Sequence, residues 1–230
     1  MEISNRYSLI KEKMPREFLL LQGTGCRHKK CTFCDYYKDF SDSPFEENQK
    51  ILKKVTGEAG VLDIINSGSA MELDEKTLDL IYKKAKHLNV HTIWFEAHWM
   101  YRNVLDKFRE NFKGITIKFR TGVETFNSQL RKSWSKGIEE DVKPEDIAKY
   151  FDGVCLLMGV QGQTKEIIQS DIEIALENFE YFSINAFVEN STSIKADYLL
   201  LKWFESEIKP HLNNNPKVEI LLNNTDLGVG

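Results

Sequence analysis

Phe18-Leu19-Leu20-Leu21-Gln22-Gly23-Thr24-Gly25-Cys26-Arg27-His28-Lys29-Lys30-Cys31-Thr32-Phe33-Cys34 is an apolar run that breaks into a glycine-bearing loop with three cysteines. The run has the length and composition of a buried strand. Four residues separate the first two cysteines, and two separate the second pair. Thiolates are soft ligands suited to iron–sulfur clusters or zinc. Arg27, Lys29 and Lys30 favour the thiolate form electrostatically. Cys31 and Cys34 lie too close in sequence to staple separate elements. The loop therefore reads as a metal site in a reducing compartment, and a cytoplasmic protein is expected.

Working outward, the same alternation of apolar run and helical pattern continues along the chain. Strands are predicted at 18–22, 61–65, 92–95, 115–119, 154–158, 182–188 and 218–222. Between them, helical periodicity is read near 46–56, 75–88, 104–112, 167–179 and 195–208, with Asp74 as a cap and Pro144 opening a further helix. Six strand-then-helix units with short connections demand parallel strands and right-handed crossovers. The expected fold is α/β, one domain over residues 1–230. In such folds ligands sit at the carboxyl ends of the strands.

The chain has 230 residues and a formal net charge of −4. That balance argues against a broad nucleic-acid interface. No apolar run reaches the roughly 20 residues of a membrane span, and residues 1–16 hold no signal-peptide core.

Spacing alone leaves several metal sites open. Four-then-two also occurs in plant-type [2Fe–2S] ferredoxins, whose fourth ligand here would have to be Cys155. That cysteine stands in the apolar run Val154–Met158 and reads as a buried thiol. A structural zinc would use His28 or Cys155 as its fourth ligand. Six βα units fit a ferredoxin poorly.

The cysteine loop after the first strand, with aromatic Phe33 just before the third cysteine, resembles the radical SAM superfamily. The superfamily usually has three residues between the first two cysteines, one fewer than here. The resemblance implies a partial (β/α)6 barrel, a [4Fe–4S] cluster held by Cys26, Cys31 and Cys34, and S-adenosylmethionine on the open fourth iron. It implies reductive cleavage of that cofactor to a 5′-deoxyadenosyl radical, which abstracts a substrate hydrogen. The electron would come from an external donor of flavodoxin or ferredoxin type. The cofactors carry the difficult chemistry and the protein positions them.

Other strand ends supply further candidates. Ser67, Gly68 and Ser69 stand where the superfamily has a Gly-Gly-Glu-like motif for the methionine amino group; the same residues also suit an ordinary βα turn. Glu96, His98 and Trp99 follow the third predicted strand. Arg120-Thr121-Gly122-Val123-Glu124 follows the fourth and resembles the superfamily's Gly-x-Glu turn. Arg120 is a candidate for the cofactor's carboxylate or a substrate phosphate, or else pairs with Glu96 or Glu124. Gln161 and Gln163 could read an amide-like edge or a ribose. Asn185 could face the cofactor, with Phe33 near the adenine. Glu189, Asn190, Asn223, Asn224 and Asp226 complete the polar ends.

Size and the Asn66–Ser69 turn look similar to the superfamily's 7-deazaguanine branch. That implies a small nucleotide substrate whose base is released by cleavage of the C–N glycosidic bond. His98, Trp99, Glu124, Gln161, Gln163, Glu189 and Asp226 are then the substrate-binding candidates, and a carboxylate among them would accept from a guanine-type edge. The alternative within the superfamily is another small-substrate or tRNA-modifying enzyme.

Overall fold

The computed structural model describes residues 5–229. Eight strands follow one another in chain order: β1 (Tyr7–Ile10), β2 (Arg16–Leu21), β3 (Val61–Asn66), β4 (Thr92–Glu96), β5 (Thr116–Glu124), β6 (Gly153–Met158), β7 (Tyr181–Ala186) and β8 (Val218–Leu221). β1 runs antiparallel to β2, whereas the pairings β2–β3, β3–β4, β5–β6, β6–β7 and β7–β8 are parallel. The helices are α1 (Pro44–Leu52), α2 (Glu75–His87), α3 (Leu105–Arg109), α4 (Ser128–Ser133), α5 (Pro144–Ala148), α6 (Lys165–Asn178), α7 (Tyr198–Trp203) and α8 (Lys209–Leu212). Among the described residues, no helix is long and apolar enough to cross a membrane.

The chain divides into two compact units, neither continuous in sequence. The first comprises residues 1–29, 36–119 and 225–230; the second comprises 30–35 and 120–224.

In the first unit, alternation along β2, β3 and β4 gives two unlike faces. Leu19, Ile64 and Phe95 share one register row and are buried. Phe95 packs edge-on against Phe108, with centroids 5.3 Å apart, and contacts Phe112 and Phe119. The next row, Phe18, Asp63 and Trp94, points the other way. There the guanidinium of Arg16 donates to Asp63 at 2.9 Å, and both side chains are 0% exposed. Arg16 also donates to the Met14 carbonyl.

In the second unit, Val154, Leu156, Met158, Phe182 and Ile184 form the apolar face. Helix α6 packs on β6 and β7 and buries Ile168, Ile172 and Ala175. The opposite face carries the rows Cys155–Ser183–Glu219 and Leu157–Asn185–Leu221. Cys155 is buried, as expected of a core thiol.

Three local differences from the sequence reading have physical causes. β1 was not expected: four residues with one serine carry little periodic signal, and the strand exists by pairing with β2. β5 extends to Glu124, so Arg120–Glu124 is strand rather than a turn after it. Thr121 and Val123 are β-branched and fully buried, which favours the extended chain. The single helix expected over 195–208 is instead α7, a π-helical stretch at Phe204–Ile208, and α8. Asp74 does cap α2, its carboxylate accepting from Thr77 N–H, and Pro144 does open α5.

Asp171 of α6 is buried and accepts from the Phe126 amide at 2.7 Å. Burial pushes its carboxyl up to about 6, against the pull of Phe126, Thr125 and Arg131. Its folded pKa lies above its unfolded one, so protonation favours the fold. That contribution is complete below about pH 4 and is lost as pH rises through about 6. Asp171→Asn keeps an acceptor for Phe126. In urea titrations it should remove a decline of up to roughly 3 kcal/mol between those pH values. An unchanged pH slope would place the effect on another group.

Candidate active site

In the first unit, Cys26 lies against the turn that follows β3. A Cβ on Gly68 would sit 2.0 Å from Glu72 Oε2 and 3.1 Å from Cys26 Cα, so only glycine lets the turn lie this close. Glu72 is 7% exposed. Its Oε1 accepts from Arg27 N–H at 2.8 Å and from the Tyr101 hydroxyl at 3.1 Å. Its Oε2 accepts from Ser69 N–H at 2.7 Å. Burial, then Glu72, pushes the Tyr101 phenol up to about 12, so it stays a donor.

The serines of that turn are engaged in different ways. Ser67 donates its hydroxyl proton to Asp39 Oδ2 at 2.5 Å, leaving its lone pairs to accept elsewhere. Asp39 also accepts from Arg6 and Gln22, each at 2.9 Å. Burial alone would raise the Asp39 carboxyl, but these three donors outweigh it and hold the group below its usual range. Ser69 Oγ accepts from His98 N–H at 3.0 Å. His98 stacks on His28 of the cysteine loop, with centroids 4.3 Å apart. Trp99 is buried beneath the Arg102 guanidinium, and Glu96 ends β4 half-buried.

In the second unit, Cys31 and Cys34 pack against a buried cluster of Phe33, Trp134, Val160 and Phe187. Phe33 meets Trp134 edge-on at 5.6 Å, and Thr32 N–H donates to the Trp134 carbonyl. Asn190 donates to the Phe33 carbonyl at 2.8 Å, and Ser191 donates twice to Asp35. The loop segment is thereby fixed on both sides of Cys34.

Glu124 closes β5 at a register irregularity and has φ +66°. Such a backbone is costly for a residue with a side chain, and strain of this kind gathers at functional sites. It brings the carboxylate back over Gly122, where any Cβ would sit 2.4 Å from Glu124 Oε1. Lys136 donates to that oxygen at 2.8 Å, the two side chains being 10% and 11% exposed. The Lys136 ammonium also stands 5.9 Å from the Phe33 ring centroid. Arg120 is buried in β5, and Asn185 Oδ1 is buried on β7 with no hydrogen-bond partner.

The remaining candidates hold their own loops or lie open to solvent. Gln163 accepts from Val160 N–H and donates to the Leu157 carbonyl, a staple across its turn. Glu189 binds Lys195 at 2.9 Å and the Ala196 amide, and Lys195 first of all draws its carboxyl below the usual range. Gln161, Asn223, Asn224 and Asp226 are exposed.

Glu72, Asp39, Tyr101 and Lys136 were not anticipated. Glu72 had a signal, since Ser69-x-x-Glu72 is a capping-box pattern. Asp39 and Lys136 sit in irregular polar stretches with no period to read.

The donor set fits an iron–sulfur cluster. Three thiols outside any disulfide, each partly accessible, stand in one loop. Among the described residues, no three His, Cys, Asp or Glu side chains converge on one point as a single ion requires. A cluster that takes one thiolate per iron does not require that convergence. The Asn185 oxygen, buried with no hydrogen-bond partner, leaves an acceptor that a donor on an organic cofactor could satisfy.

No family model and no curated protein matches this chain. Among solved structures, it is similar to queuine lyase from Clostridium spiroforme bound to SAM and queuine: 43% identity over 99% of each chain, TM-score 0.94. It also resembles methylornithine synthase at 16% identity and TM-score 0.59, covering 88% of this chain and 63% of that one. A third likeness is to SuiB of Streptococcus suis bound to S-adenosylmethionine, at 16% identity and TM-score 0.58, covering 91% of this chain and 48% of that one. The last two speak to fold alone, and that fold is the expected α/β class with parallel strands.

Proposed function

This chain belongs to the queuine lyase family of radical SAM enzymes, and from that premise we propose that it releases queuine from queuosine 5′-phosphate by cleaving the C–N glycosidic bond. The observation that carries the reading is the 43% identity, over 99% of both chains, to an enzyme solved with SAM and queuine. Family cores of this kind are partial (β/α)6 barrels, and we take residues 1–230 as one such core.

The enzyme uses a [4Fe–4S] cluster and S-adenosylmethionine. Bound together, these supply a radical that removes a hydrogen from the substrate, here from its ribose. Cys26, Cys31 and Cys34 hold the cluster. Ser67, Gly68 and Ser69 receive the methionine part, and Ser67 suits an ammonium because its proton is already given to Asp39. Glu96, Arg120, Asn185 and the Phe33 backbone complete the cofactor's surroundings. The electron comes from an external donor protein, and cysteines held outside disulfides suit a reducing compartment.

On the substrate side, Glu124 is the favoured reader of the base. Its carboxylate is preset by the strained backbone and balanced by Lys136, and a carboxylate accepts from the N–H groups of a guanine-type edge. Gln163 and Glu189 already serve their own loops, so they rank below it.

The direct test is anaerobic reconstitution, then incubation with reductant, S-adenosylmethionine and queuosine 5′-phosphate, with mass spectrometry of the products. Queuine and 5′-deoxyadenosine or its equivalent should appear together. No queuine from cluster-loaded protein that cleaves its cofactor would sink the substrate assignment. In the same assay Glu124→Gln should slow queuine release by about 10- to 100-fold, the loss of one charged hydrogen bond. Its amide oxygen can still accept from Lys136, so cluster content and uncoupled cofactor cleavage should hold. Normal turnover would move base recognition to another residue.

A further inference from the structure

We propose that Glu72 is a positioning residue that sets Cys26 in register with the Ser67–Ser69 turn, holding a cluster ligand and the cofactor's docking turn as one piece. The inference rests on the family reading above. It concerns cofactor placement, not the identity of the substrate.

One carboxylate joins two loops that leave different strands. Oε1 takes the amide of Arg27, the residue after Cys26, and Oε2 takes the amide of Ser69. The Glu72 backbone carbonyl takes a third amide, that of Thr24, at 3.1 Å. Charge-assisted bonds of this length are strong and directional. A Cβ at Gly68 would sit 3.1 Å from Cys26 Cα and push the turn away, and glycine carries none. Both Glu72 oxygens are thus committed to amides of the protein itself. A carboxylate beside a cofactor turn would otherwise be the natural partner of an ammonium. Here each oxygen already accepts an amide of the protein, and the carboxylate acts as a spacer of fixed length between ligand loop and docking turn.

The test compares Glu72→Gln and Glu72→Asp with Tyr101→Phe. Gln turns one acceptor into a donor that faces an amide N–H. Asp keeps the charge but is one methylene too short to reach both amides. Hydrogen exchange in the metal-free protein should show the Arg27 and Ser69 amides exchanging about tenfold faster in one or both Glu72 variants. In cluster-loaded protein, iron per folded chain should be retained. S-adenosylmethionine should bind about tenfold more weakly, with a diminished change in the reduced cluster's electron paramagnetic resonance on cofactor addition. Tyr101→Phe removes only the phenol donor and should stay within about threefold.

Released amides with unchanged cofactor affinity would make Glu72 ordinary scaffolding and overturn the proposal. If Glu72→Gln does not fold, normal cofactor affinity in Glu72→Asp overturns it equally. Cofactor binding is measured without queuosine 5′-phosphate, so failure of the substrate assignment leaves this result untouched.

Discussion

Changing Cys26, Cys31 or Cys34 singly to Ala abolishes reductive cleavage of S-adenosylmethionine. Iron falls from about four per chain towards none, as expected when a [4Fe–4S] cluster loses one of three ligands. No fourth thiol stands in reserve: Cys155 is buried in the middle of β6, among residues of the second unit's sheet. Cys155→Ala is accordingly the control, and should keep both iron and cleavage. Iron assay, electron paramagnetic resonance and chromatography of the cleaved cofactor give three readouts. A four-iron Cys26→Ala protein that still cleaves would strike Cys26 from the ligand set. A colourless wild type holding one zinc would remove the radical reading altogether.

The second large effect is on stability. Asp63→Asn leaves the Arg16 guanidinium buried without its counter-charge, since both side chains are 0% exposed. Breaking such a pair from one side costs about 3–5 kcal/mol. Denaturant unfolding of the metal-free protein should show that loss. Arg16→Met with Asp63→Leu removes both charges and should recover most of it. A loss below about 1 kcal/mol for Asp63→Asn would mean that water reaches the pair on local opening.

The strands were legible where burial left continuous apolar runs, as in Val154–Met158 and Phe18–Leu21. Capped helices were legible for a similar reason, since Asp74 and Pro144 are local signals with local causes. β1 was not, because its stability comes from a partner strand rather than its own composition. The cysteine candidates could be picked out directly, since thiolates at such spacing have few other uses. Their supports could not. Glu72 is 46 residues from Cys26 in sequence, and Lys136 is 12 from Glu124. No period links either pair, and only folding makes the partnership. Gln163 shows a second limit. A polar side chain after a strand reads as a candidate for substrate, and sequence gives no sign that its amide also bridges its own turn.

The division of the chain into units has a consequence for the order in which the protein is made. Asn5 donates to the Gly228 carbonyl across 223 residues, and Ser8 donates to the Leu227 carbonyl. Residues 225–229 belong to the first unit, although the 105 residues 120–224 of the second come directly before them. Synthesis runs from the amino end, so β1 emerges early and must wait for these partners. Ring closure over such a span adds only logarithmically to the entropy cost, so the delay is one of time more than of free energy. The unit begun first is the one completed last, and during translation its opening hairpin lacks those two anchors.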